Sequence, residues 1–147
     1  MKKYRQKVTD PLIGDCWRAC MATLLQLPPD VLPNDHSPAW YSIWDRFLGQ
    51  FGLALSPCIK ADGPVWATQP WIASVKSLNY KATHAILMHY GGKVLHDPSN
   101  LKRYKTGTYL SSKEVISGQH LEVEDVTKLH LLKEYRDRIT APEKVKL

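Results

Sequence analysis

Thiol chemistry needs a thiolate, and the start of a helix favours one, because unpaired backbone amides and the macrodipole there attract negative charge. Cys16 stands at such a start. Asp15 before it is a good N-cap, and residues 16–26 contain neither glycine nor proline. Cys20 lies one turn deeper on the same face, farther from the positive end, and reads as a packing residue. Cys58, beside Pro57 in an expected strand, has no comparable setting. A thiol nucleophile also needs a base, and the chain carries six histidines from which to supply it.

Register singles out His84. Residues 84–90 and 93–97 read as strands joined by Gly91-Gly92, a pair that supplies the positive φ angles of a two-residue hairpin turn. Such a turn sets Tyr90 opposite Lys93, Met88 opposite Leu95, Ile86 opposite Asp97 and His84 opposite Ser99. Because side chains alternate, His84 and Asp97 emerge on one face as diagonal neighbours, about 7–8 Å apart at the backbone. His89 and His96 point to the other face, and a slip of one residue would exchange the two sets. A carboxylate behind an imidazole fixes its tautomer and steadies its cation, while the other ring nitrogen takes the thiol proton. Cys16, His84 and Asp97 thus supply nucleophile, base and orienter if the helix sets its N-terminus over the hairpin. A surface His84–Asp97 hydrogen bond beside an unrelated buried cysteine satisfies the spacing equally well.

The elements that must position these residues follow from pattern. A first helix over 16–26 is stopped by Pro28 and Pro29, which cannot continue the helical hydrogen bonding. A second begins with Ser37 as N-cap and Pro38 in the first turn. It carries Trp40, Ile43, Trp44, Phe47, Leu48 and Phe51 as a core-facing stripe and stops at Gly52. Residues 53–59 and 71–75 read as strands. Ser111 and Glu114 form a capping box for a short helix closed by Gly118, and 124–139 reads as an amphipathic helix. Residues 141–147 are a loose tail, which leaves a single domain over 1–140.

Composition restricts the function classes. A chain of 147 residues with 44% hydrophobic and 23% charged side chains has enough core for one domain and is not a disordered polymer. No apolar run approaches the roughly 20 residues of a membrane span, and the basic N-terminus is not followed by the apolar stretch of a secretory signal. Three cysteines cannot all pair internally, so the expectation is reduced thiols in a cytoplasmic protein. The net charge of +6 is spread over 2–5, 102–105 and 133–146 without a recognised motif or aromatic–basic platform, which argues against a nucleic-acid partner. Cys16 and Cys20 are spaced Cys-x-x-x-Cys with no second pair, which is not the spacing of a structural zinc site; no metal or cofactor is expected.

The stretch Gly14-Asp15-Cys16-Trp17-Arg18-Ala19-Cys20-Met21-Ala22, with His84-Ala85-Ile86-Leu87 and Val94-Leu95-His96-Asp97-Pro98, resembles the papain-like cysteine peptidase group that contains the double-glycine leader peptidases. It is similar also to small papain-like proteins of bacteria and their phages, which share a Leu-Pro stretch like 27–33 and a His-Asp-Pro hairpin. The matching residues cover the first third and the middle of the chain, and nothing after about Ser99. The resemblance implies an α+β, papain-like fold, with N-terminal helices packed on an antiparallel β-sheet, and a Cys-His-Asp triad that cleaves an amide through an acyl-enzyme. It also implies an oxyanion-binding glutamine upstream of the cysteine. Gln6 is the upstream glutamine here; it stands farther from Cys16 than in the leader peptidases, where Asp10 would occupy the expected spacing. The implied partner is a peptide or protein substrate. The alternative is a bacterial or phage interaction protein on the same scaffold, contacting a host or virion protein, with a weak or decayed active site.

Overall fold

The computed structural model describes residues 1–5, 16–33, 38–56, 69–76, 83–89, 92–99, 104–111 and 113–140. Helix α1 spans Cys16–Leu25 and α2 spans Trp40–Gly49; strands β1 (Leu53–Leu55), β2 (Trp71–Lys76), β3 (Thr83–His89), β4 (Lys93–His96), β5 (Val115–Gln119) and β6 (Leu121–Val123) precede α3 (Leu129–Thr140). The architecture is α+β. Four strands form an antiparallel sheet in the order β4-β3-β2-β5, and β1 pairs antiparallel with β6 in a separate ribbon.

The four-stranded sheet is buried on both faces, and the alternation of its strands divides the apolar residues between two clusters. Ile72, Ala85 and Leu87 join Cys20, Met21 and Leu25 of α1 and Trp44 and Leu48 of α2 on one side. Trp71, Ala73, Val75, Ile86 and Met88 form the second cluster with Val94 and Val115, flanked by Tyr104 and Leu110. Burying each large side chain is worth about 1.5–3 kcal/mol, so this double layer holds α1 firmly on β3.

Helix α1 ends one residue sooner than proline alone dictates. Gln26 takes a left-handed conformation (φ 54°), its N–H bonds the Thr23 carbonyl, and the Leu27 N–H bonds the Ala22 carbonyl. This is the paired-bond helix terminus in which glycine usually holds the left-handed position. Gln26 offsets its strain by donating from its side-chain amide to the Lys2 and Thr23 carbonyls, while Arg136 of α3 donates to the Leu25 and Gln26 carbonyls. In α2, Trp44, Leu48 and, just beyond, Phe51 are buried, but Ile43 is exposed, so the expected stripe is narrower by one residue. Its N-cap is Ala39 with no side-chain bond, and Ser37 lies outside the described residues.

Gly52 turns the chain from α2 into β1 with φ +72°. Its carbonyl accepts the N–H groups of Glu124 and Asp125, and an added Cβ would lie 2.0 Å from the Asp125 carbonyl oxygen. Asp125 in turn accepts from the Thr127 N–H and caps the short helical turn Val126–Lys128 that leads into α3.

Residues 115–119 overturn the expected short helix. Only half of the capping box forms: the Ser111 N–H and hydroxyl both donate to the Glu114 carboxylate at 3.1 Å, while the Glu114 N–H bonds the Ser111 carbonyl and not its hydroxyl, and a turn and then a strand follow. A segment this short gains little from helical propagation, whereas β-branched Val115 and Ile116 fit a strand beside the open edge of β2. The expected strand over 53–59 is described only as far as Ser56, and the tail over 141–147 lies outside the described residues. Among the described residues no helix is long and apolar enough to cross a membrane.

Candidate active site

The β3–β4 hairpin departs from the expected register and then returns to it. His89 opposes Lys93 and Met88 opposes Val94, so three residues, 90–92, separate the paired ends where two were expected. Tyr90 and Gly91 are outside the described residues. Between Leu87 and Met88 the register shifts, Leu95 is the additional residue of β4, and Leu87 opposes His96. That pair lies on the expected register. The bulge cancels the longer turn, which restores the alternation just before Asp97.

β4 ends at His96, and Pro98, which has no N–H to give to a ladder, keeps the strand from resuming after Asp97. Its carboxylate is buried and accepts three hydrogen bonds: from His84 Nε2 at 2.7 Å, from the Ser99 N–H at 2.9 Å and from the Tyr104 N–H at 3.2 Å. Burial works to raise its pKa, but these donors, His84 foremost, bring it below the usual carboxylate value. Asp97 therefore remains an anion. An anion has no proton to give, so His84 Nε2 is the donor in this bond.

Cys16, half-buried at the first position of α1, lies beside the His84 ring, near enough to act on its charge. With Nε2 committed to Asp97, Nδ1 is the ring nitrogen left for the sulfur. Burial opposes charge on the His84 ring, but the bond to Asp97 and the neighbouring Cys16 outweigh it and lift the pKa to about 9. His84 thus holds its second proton through neutral pH, between the Asp97 oxygen that fixes its orientation and the Cys16 sulfur. The structure brings Cys16 beside the hydrogen-bonded pair His84–Asp97.

The remaining candidates are placed elsewhere. Cys20 is fully buried, and burial, followed by the neighbouring Cys16 and Asp97, pushes its thiol well above the ordinary value. His96 donates from Nε2 to the Tyr4 carbonyl; burial, with the charges of Lys3 and Arg5, keeps it below the usual histidine value against that bond. It braces the N-terminal residues on β4, while the Tyr4 N–H bonds the Thr23 hydroxyl of α1. Gln6 and Cys58 lie outside the described residues. Among the described residues no group of three or more His, Cys, Asp or Glu side chains could hold a metal ion.

A cavity of about 140 Å³ opens beside Cys16, bounded by Trp17, Ser74, Thr83, Ser117 and Gln119 among others. The Trp17 indole N–H donates to Gln119 Oε1 at 2.9 Å and so ties the residue after the thiol to the end of β5. Neither Trp17 nor Gln119 stood out in the sequence. Regular alternation would have put 115, 117 and 119 on one face, but a register shift between Ser74 and Val75 sends Val115 into the second cluster while Ser117 and Gln119 line the cavity, so local spacing carried no signal for Gln119.

The arrangement can move a proton between sulfur and imidazole and keep the imidazole in one tautomer while it does so. Compared with protein-family models, with curated proteins and with solved structures, the chain matches none of them.

Proposed function

We propose that this protein is a papain-like thiol hydrolase that cleaves an amide bond of a peptide or protein. The observation that carries the reading is the hydrogen-bonded pair His84–Asp97 with Cys16, the first residue of α1, beside it. In the reaction the Cys16 sulfur attacks the carbonyl carbon, its proton having passed to His84 Nδ1. The carbon–nitrogen bond then breaks, the leaving amine takes the proton from His84, and a thioester remains on Cys16. Water attacks the thioester, giving its proton to His84, and the thiol is restored as the carboxylic acid departs. Asp97 keeps its charge throughout and balances the imidazolium. The backbone N–H of Cys16 serves as one donor to the oxyanion, and Gln6 is the candidate for a second.

The test is alkylation by iodoacetamide, read by mass spectrometry of the folded chain. Cys16 is expected to react at least about tenfold faster than Cys20 and Cys58, and His84→Ala is expected to abolish the difference. Equal, slow modification of all three thiols would overturn the reading in favour of a binding protein on this scaffold.

A further inference from the structure

We infer that the cavity beside Cys16 is a subsite for an uncharged, carbonyl-bearing side chain, that of Gln or Asn, and that Gln119 is the residue that selects it. This inference deepens the thiol-hydrolase reading and rests on it. The cavity has about 140 Å³ of space and shares Cys16 as part of its wall, so whatever occupies it lies next to the reacting sulfur. Apart from Cys16, its described lining carries no ionisable side chain. A charged occupant would leave water for a site with no counter-charge, which is strongly unfavourable.

The polar groups are specific in what they offer. The indole N–H of Trp17 can only donate, so the Gln119 atom it holds at 2.9 Å is the amide oxygen, and the amide –NH₂ is turned to the other side of the same carbon. Among the described residues that –NH₂ donates to no other group, and the hydroxyls of Ser74, Thr83 and Ser117 share the cavity with it. A hydrocarbon occupant would cover these groups without pairing them, and the lost hydrogen bonds with water would count against it. A carboxamide meets both needs: its oxygen accepts from Gln119 and its –NH₂ donates to a hydroxyl. Ala85, paired with Ser74 across the strands and small, leaves room beside these groups.

The test uses the full chain and two series of peptidyl chloromethyl ketones, in which Cys16 displaces chloride and forms a thioether. The variable residue is Gln, Asn, Leu, Glu or Lys, placed next to the ketone in one series and one residue away in the other, with alanine elsewhere. Rates of Cys16 modification are divided by the iodoacetamide rate of the same protein. In one series the Gln or Asn reagent is expected to exceed the Leu, Glu and Lys reagents by about tenfold. Gln119→Glu retains the oxygen that Trp17 binds but replaces the donor with an anion; it is expected to remove the Gln preference and to favour Lys. If that variant does not fold, judged from its thermal transition, the wild-type series alone decides. A wild-type preference for Leu, or none in either series, overturns the subsite while leaving the His84-dependent iodoacetamide reaction of Cys16 as support for the hydrolase. An iodoacetamide rate at Cys16 that is slow and indifferent to His84→Ala overturns both.

Discussion

Asp97 meets His84 from beyond the end of β4, with its carboxylate held from three directions. Oδ1 takes the His84 ring proton at 2.7 Å and the Ser99 amide at 2.9 Å, while Oδ2 takes the Tyr104 amide at 3.2 Å. Its own turn therefore aims the carboxylate before the histidine is considered. The ring between Asp97 and Cys16 has one orientation that satisfies both neighbours, and any other leaves a buried acceptor short of a donor.

Replacing that anion by a neutral isostere separates orientation from charge. Asp97→Asn retains an acceptor oxygen but puts an –NH₂ where a second acceptor stood, so either His84 or a backbone amide loses its partner. Stability is expected to fall by about 1–3 kcal/mol in urea denaturation, and the iodoacetamide rate at Cys16 by at least tenfold. A variant that alkylates as fast as the wild type would show that Asp97 plays no part in activating the thiol.

The raised pKa of His84 makes a statement about stability against pH. A folded-state value of about 9 lies above the ordinary 6.5, so the stabilisation is complete below about pH 6.5 and is lost as pH rises through 9. Its full size is on the order of 3 kcal/mol. Asp97 acts in the opposite sense, since its depressed value contributes stability that is lost only in acid. The His84 ring signals in an NMR titration are expected to move with a midpoint near 9, and Cys16→Ala and Asp97→Asn should each lower it. A wild-type midpoint at or below 6.5 would contradict the proton-sharing arrangement.

Gly52 joins two distant stretches of chain. Its backbone needs a positive φ, and a Cβ would overlap the Asp125 carbonyl. Gly52→Ala is expected to cost about 3 kcal/mol or more, seen as a lower urea midpoint, and to disturb the β1–β6 ribbon through the lost Glu124 and Asp125 bonds. A variant as stable as the wild type would mean that this junction relaxes freely.

Long periodic segments disclosed themselves in the sequence because burial repeats along them. The α1 and α2 helices and the strand expected over 84–90 were legible from apolar spacing and proline or glycine stops; the helix expected over 124–139 begins only at Leu129, after the short turn Val126–Lys128 that Asp125 caps. Residues 115–119 were not, because the Ser111–Glu114 capping signal is purely local and its Ser111 N–H bond to Glu114 forms at a turn as well as at a helix start; only the vacant edge of β2 decides between the two outcomes. Trp17 and Gln119 were hidden for a related reason. A hydrogen bond across 102 positions leaves no trace in local spacing, and a tryptophan after a cysteine looks like any core aromatic. His84 and Asp97 were legible as partners because strand parity is a coarse property that two compensating irregularities leave unchanged.

That compensation has a consequence for how this hairpin can vary. Leu95 supplies one surplus residue and the turn supplies another, while Leu87 stays opposite His96. The side on which the aspartate emerges is therefore set by the pairing of His96 with Leu87, and not by the number of residues in the hairpin. Deleting the unpaired Leu95 would leave Met88 opposite Val94 and Leu87 opposite His96 in an unbroken ladder, with Asp97 still following His96 out of the ribbon. Length differences confined to the bulge or to the turn are thus tolerated by the His84–Asp97 contact, and only a change that gives His96 a new partner across the ribbon breaks it.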